Sequence, residues 1–132
     1  MAKLDTVTVK DYMSTELVSF TPDMEMDAAI HLFITHGVSG GAVVEGGKVV
    51  GVLSEKDCLK VALVAGYEGA TSGTVREYMT AKVVGLDPDS SILEAAGKFL
   101  DTPFKRFPVI KAAKLVGMLS RSDVLRAIQD NS

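Results

Sequence analysis

Sliding the sequence against itself by 66 residues aligns Val9–Ala62 with Val75–Ile128 without a gap, and sixteen of the 54 aligned positions are identical. Tyr12 and Met13 recur as Tyr78 and Met79, Pro22 and Asp23 as Pro88 and Asp89, and Ala29 and Phe33 as Ala95 and Phe99. Gly51, Leu53, Ser54, Asp57 and Leu59 return as Gly117, Leu119, Ser120, Asp123 and Leu125. A duplication of this kind means one structural unit written twice. A unit this short is marginal alone, so the two copies are expected to pack together with pseudo-two-fold symmetry.

Hydrophobic period sets the order of elements within each copy. Leu17–Phe20 and Val83–Leu86 are short apolar runs stopped at Pro22 and Pro88, which reads as a strand ending in a turn. Met26, Ala29, Ile30 and Phe33 fall at i, i+3, i+4 and i+7, as do Ile92, Ala95, Ala96 and Phe99, giving each copy a helix with one apolar stripe. Two strands follow, at 42–44 and 49–53 in the first copy and at 108–110 and 115–119 in the second. The first pair is joined through Gly46-Gly47 and the second through Ala112-Ala113, so the loss of both glycines predicts a different turn. Ser54 and Ser120 are plausible N-caps of a second helix, with Asp57 and Asp123 in its first turn. The unit is β-α-β-β-α and the fold class α+β. Residues 9–62 and 75–128 form the two units, joined by a linker at 63–74 that contains Gly66, Gly69 and Gly73.

Composition narrows the function. The 132 residues are 47% hydrophobic, enough to bury a core, and the net charge of −3 comes from interspersed charges rather than a block. That argues against a broad electrostatic surface for duplex nucleic acid. The N-terminus has no apolar signal-peptide core and no run approaches the roughly 18 apolar residues of a membrane span, so the expected location is cytoplasmic and no membrane partner is expected. Cys58 is the only cysteine, which precludes an internal disulfide.

The doubled Val/Leu-Val-Gly-x-Leu-Ser-x-x-Asp string, preceded by a Pro-Val-type strand and a Pro-Asp turn, resembles the CBS domain, named for cystathionine β-synthase. Two in tandem form a CBS pair, or Bateman module, and the resemblance covers nearly the whole chain. It implies a regulatory module that senses an adenosine-containing ligand, AMP, ADP or ATP, with NAD or S-adenosylmethionine as further possibilities, in the clefts between the paired domains. No cofactor is required and no enzyme activity is implied.

The chemistry of Ser-x-x-Asp fits that role: a carboxylate accepts two hydrogen bonds from a ribose diol, and a serine hydroxyl with helix N–H groups suits phosphate. Helix capping explains the same spacing, and both readings stay open on the residues alone. The resemblance implies two sites. Site A uses Ser54 and Asp57 with Ala81, Lys82, Val83, Phe104, Lys105 and Arg106; site B uses Ser120, Ser122 and Asp123 with Thr15, Leu17, Ser39 and Gly40. Lys105 and Arg106 have no basic counterpart in Ser39 and Gly40, and Ala42 stands where the family usually has proline, so site A is expected to be the stronger phosphate site.

Other chemistries are weaker. His31 and His36 lie about 140° apart around a helix axis and share no face for a metal. Ser54 and Asp57 have no histidine near them in sequence and no nucleophile-elbow pattern. Cys58, just inside a helix, reads as a small buried hydrophobe. The helix after Asp57 is apolar on more than one face, through Leu59, Val61, Leu63 and Val64, and this points to a homodimer. The expectation is therefore a stand-alone nucleotide-sensing CBS pair acting on an unknown target protein. The alternatives are a ligand-independent interaction or assembly module and, more weakly, a binder of single-stranded nucleic acid.

Overall fold

The computed structural model describes residues 3–37, 40–68 and 73–132, and for residues 65–68 the backbone alone. The architecture is α+β, with β-α-β-β-α order in each copy. Two compact units are present: a continuous one, Val18–Val83, and a split one that joins the segment up to Leu17 with Val84–Ser132.

In the continuous unit, β1 (Ser19–Phe20) lies parallel to β2 (Gly40–Glu45), and β2 pairs antiparallel with β3 (Lys48–Ser54). Helix α1 (Met26–His36) follows the Pro22 turn and buries Met26, Ala29 and Phe33, the stripe expected from the period. It ends at Gly37 in the left-handed region, φ 62°, a conformation glycine adopts without steric cost. Helix α2 (Glu55–Glu68) leaves β3 directly. Phe20, Phe33, Val43, Leu53 and Val61 form the core, with the Phe20 and Phe33 rings stacked at 5.3 Å. The short helix α3 (Val75–Tyr78) adds Val75 to that core, and Thr80 then exchanges two backbone hydrogen bonds of 2.9 Å with Val52 on the free edge of β3.

The split unit repeats this plan with the segments from the other copy. Leu86 bridges parallel to Val109 on β4 (Arg106–Lys111), which pairs antiparallel with β5 (Lys114–Ser120). Helix α4 (Ile92–Asp101) buries Ile92, Ala95 and Phe99, and α5 (Arg121–Asp130) buries Val124 and Ala127. Ser14 occupies the place on β5 that Thr80 holds on β3, exchanging bonds of 2.8 and 3.0 Å with Met118. Val9 sits in this core beside Ile92 and Leu119. Each repeat thus donates its opening segment to the sheet built by the rest of the other repeat. The same two hydrogen-bond positions secure both: Val9 N–H to Ser90 O and Ile92 N–H to Val7 O in one unit, Val75 N–H to Met24 O and Met26 N–H to Gly73 O in the other, all 2.8 Å.

Three details differ from the sequence reading. The first strand of each copy is shorter, two residues in one and a single bridge at Leu86 in the other. The chain passes from one unit to the other only at Val18 and again at Val84, and the proline turn ends pairing soon after. Helix α2 runs on through Glu68, past the point where the linker was expected to begin. The second hairpin keeps the geometry of the first despite its lost glycines. Glu45 pairs with Lys48 and Lys111 with Lys114, and Ala112 and Ala113 adopt φ of 51° and 67° where Gly46 and Gly47 have 59° and 80°. A two-residue connection matched to strand twist requires positive φ at both positions, so the pairing of the strands imposes it on alanine.

Candidate functional site

The two Ser-x-x-Asp strings form the same structure. At the start of α2 the Ser54 N–H and hydroxyl both donate to Asp57 Oδ2, at 2.9 and 3.0 Å, and the Asp57 N–H donates to Ser54 Oγ at 3.2 Å. At the start of α5 the Ser120 N–H donates to Asp123 Oδ2 at 2.8 Å and the Asp123 N–H to Ser120 Oγ at 3.2 Å. Each is a capping box that satisfies donors a helix start leaves open. The capping alternative is therefore realised in both copies. It leaves acceptor capacity unused, because a carboxylate has about four lone-pair sites.

A cation completes each carboxylate. Lys60 Nζ donates to Asp57 Oδ1 at 3.2 Å, and Arg126 Nη2 to Asp123 Oδ1 at 2.6 Å. These partners were missed in the sequence, although the Asp-x-x-Lys/Arg spacing recurs there at equivalent positions. Asp57 is only 3% exposed, and Asp123 is half-buried.

The other predicted residues are distributed over the two units. Ala81, Lys82 and Val83 follow Thr80 in the continuous unit, with Ala81 and Lys82 exposed. Gly40 pairs in register with Ser54 at the end of the β2–β3 hairpin. Ser39 lies outside the described residues. In the split unit, Thr15, Leu17 and Ser122 are exposed, and Arg106 pairs in register with Ser120. The Phe104–Lys105 backbone is clamped by Arg121, whose N–H donates to Lys105 O and whose Nε donates to Phe104 O, both at 3.1 Å. The Phe104 ring stands edge-on to Phe107 at 5.7 Å. The structure thus brings Phe104–Arg106 together with Ser120 inside one unit, while Ser54 and Asp57 belong to the other.

Arg106 is the conspicuous group in this segment. Its Nε is buried and has no hydrogen-bond partner among the described residues. A buried unpaired donor costs about 1–3 kcal/mol, and an anion placed against it offsets that cost.

Cys58 is half-buried against the core of the continuous unit, and burial, with Asp57 and Glu55 beside it, pushes its thiol up to about 11. Among the described residues no group of three or more His, Cys, Asp or Glu is placed to hold a metal, and no helix is long and apolar enough to cross a membrane. An open, mainly apolar hollow of about 370 Å³ in the split unit, lined by Leu4, Leu93 and Ile128 among others, includes none of the predicted residues.

Comparison with known proteins agrees with the duplicated pattern. The family model for the CBS domain matches twice, over residues 9–64 and 75–130. A zinc metalloprotease of Methanocaldococcus jannaschii is 34% identical over 122 residues, which span 92% of this chain but only 32% of that protein. The CBS domain-containing protein YhcV of Bacillus subtilis is 28% identical over 88% of this chain and 81% of its own length. Among solved structures, Arabidopsis thaliana CBSX2 in complex with AMP is 30% identical, with a TM-score of 0.83, covering 94% of this chain and 97% of that one. The CBS domain pair of MJ0100, in complex with 5′-methylthioadenosine and S-adenosyl-L-methionine, shares the fold at a TM-score of 0.81 and 23% identity, covering 96% and 99% of the two chains.

Proposed function

Because this chain belongs to the CBS domain family, as a tandem pair, we propose that it is a regulatory module that binds an adenosine nucleotide of the AMP, ADP or ATP class. The observation that carries the reading is the capping-box carboxylate repeated at the start of α2 and α5, with an arginine Nε that has no partner among the described residues in the segment expected to meet phosphate. Asp57 and Asp123 take ribose hydroxyls, and Lys105 and Arg106 take phosphate, in the residue sets drawn from the sequence, with site A the stronger phosphate site. The AMP complex of CBSX2, a relative at 30% identity, supports this ligand class. Occupancy becomes a signal to a target protein when two conformations bind the nucleotide unequally. The role is regulatory rather than catalytic.

Self-association belongs to the same reading. Leu59 and Leu63 on α2 are 69% and 65% exposed, and Leu125 and Ile128 present the corresponding surface of α5. We assign these apolar faces, each on its own unit, to a homodimer. Sedimentation at micromolar concentration should show twice the 14.0 kDa chain mass; a monomer alone would reject the assignment.

Calorimetric titration with AMP, ADP, ATP, NAD and S-adenosylmethionine tests the function. Saturable binding strongest in the AMP, ADP or ATP class is expected. Absence of binding by every ligand to the folded protein would leave the ligand-independent assembly module, which the already partnered carboxylates favour.

A further inference from the structure

The two carboxylates differ in how firmly their cation is held. Lys60 is 60% exposed at its side chain, and its ammonium touches Asp57 alone among the described residues. Arg126 is as exposed, at 58%, but is fixed at three points. Its Nη2 donates to Asp123 Oδ1 at 2.6 Å and to Tyr12 O at 3.3 Å, and its guanidinium lies 5.8 Å from the centre of the Tyr12 ring. Tyr12 is itself anchored, its hydroxyl donating to Asp130 Oδ2 at 3.0 Å and accepting from Asn131 Nδ2 at 3.3 Å. Its backbone N–H donates to Val9 O at 3.1 Å.

A ribose diol donates to carboxylate oxygens. Asp57 Oδ2 already accepts twice from Ser54 and Asp123 Oδ2 once from Ser120, so a diol that engages both oxygens of either carboxylate meets the cation on Oδ1. A lysine ammonium on a flexible stem moves aside with little loss. A planar guanidinium held over an aromatic ring and bonded twice does not. The equivalent ring, Tyr78, stands at the same place in the repeat, but lysine has no planar face to lay on it.

We infer that the cation three residues after each carboxylate sets that site's affinity for a ribose diol, and that Arg126 is a positioning residue which holds Asp123 back from the ligand while Lys60 leaves Asp57 available. The inference rests on the nucleotide reading of the Ser-x-x-Asp carboxylates and adds a reason for unequal sites that lies outside the phosphate segment.

The test is calorimetric titration of AMP and of 2′,3′-dideoxy-AMP into the parent, Arg126→Lys, Lys60→Arg and the double variant Arg126→Lys/Asp123→Ala. Arg126→Lys should tighten the weaker AMP site, or reveal one, by about two- to fivefold, the range of an exposed ion pair. Lys60→Arg should weaken the stronger site by a similar factor. The gain from Arg126→Lys should vanish in the double variant and with the dideoxy ligand, which carries no diol; a purely structural effect would follow neither. If the parent binds AMP and Arg126→Lys leaves the weaker site unchanged or weaker, or its gain persists with the dideoxy ligand, the inference fails and the nucleotide reading stands. If neither parent nor variants bind AMP, both fall.

Discussion

Ser54 and Asp57 complete each other at the start of α2: serine gives its N–H and hydroxyl to one carboxylate oxygen, and the aspartate N–H returns a bond to the serine oxygen. One pair of residues therefore serves the fold and the proposed ligand, and its two contributions separate experimentally. Asp57→Ala should cost about 1 kcal/mol of stability from the lost cap, in denaturant titrations without nucleotide.

With AMP present, Asp57→Ala and Arg106→Ala should each weaken binding roughly 10- to 100-fold, the value of a charge-assisted contact of about 1.5–3 kcal/mol. Asp123→Ala should cost much less. Adenosine should bind Arg106→Ala nearly as well as the parent, because it carries no phosphate. Equal AMP losses from Asp57→Ala and Asp123→Ala would refute the ranking of the sites.

Ala112 and Ala113 hold a left-handed conformation that disfavours a Cβ. Relief of about 1–2 kcal/mol per residue outweighs the added freedom of glycine in the unfolded chain, about 0.4–1 kcal/mol. Ala112→Gly and Ala113→Gly should each raise stability by about 0.5–1 kcal/mol in chemical denaturation. A loss of stability would count against this account of the hairpin.

Cys58 should be a poor nucleophile. With its thiol raised to about 11, chiefly by burial, native labelling by iodoacetamide at pH 8 should run on the order of a hundredfold slower than in denaturant. The raised value favours the protonated thiol, so its contribution to stability is complete below the ordinary thiol range and fades as pH rises toward 11. Rapid native labelling at pH 8 would contradict this.

Asp89 lies between Lys111 and Lys10, each 3.0 Å away, and the hydrogen bond from Lys111, then that from Lys10, holds its carboxyl below the ordinary carboxylate range. A depressed carboxyl stabilises the fold above its unfolded value of about 3.9 and loses that effect as pH falls through the lower folded value. Asp89→Asn should therefore lower the melting temperature by a constant amount between pH 5 and 7, and the gap should close below about pH 4. A gap that persists at pH 2.5 would assign the loss to packing.

What the chain could tell by itself came from local patterns that the fold has no reason to override. The 66-residue offset exposed the duplication, Met26–Ala29–Phe33 and Ile92–Ala95–Phe99 marked the buried helix faces, and Ser-x-x-Asp marked both helix starts, because period and capping act within a few residues. Tertiary structure decided three things. It chose which sheet receives Val9 and Ser14 and which receives Val75 and Thr80. The two opening segments share Val, Tyr and Met at equivalent positions, so their side-chain pattern does not assign either one to an edge, and the choice lies in chain connection and packing. It forced Ala112 and Ala113 to positive φ, since strand pairing outweighs the preference of one turn residue. It laid Arg126 on Tyr12 and Asp123, because a contact between residues 114 apart forms only once the opening segment is docked on β5.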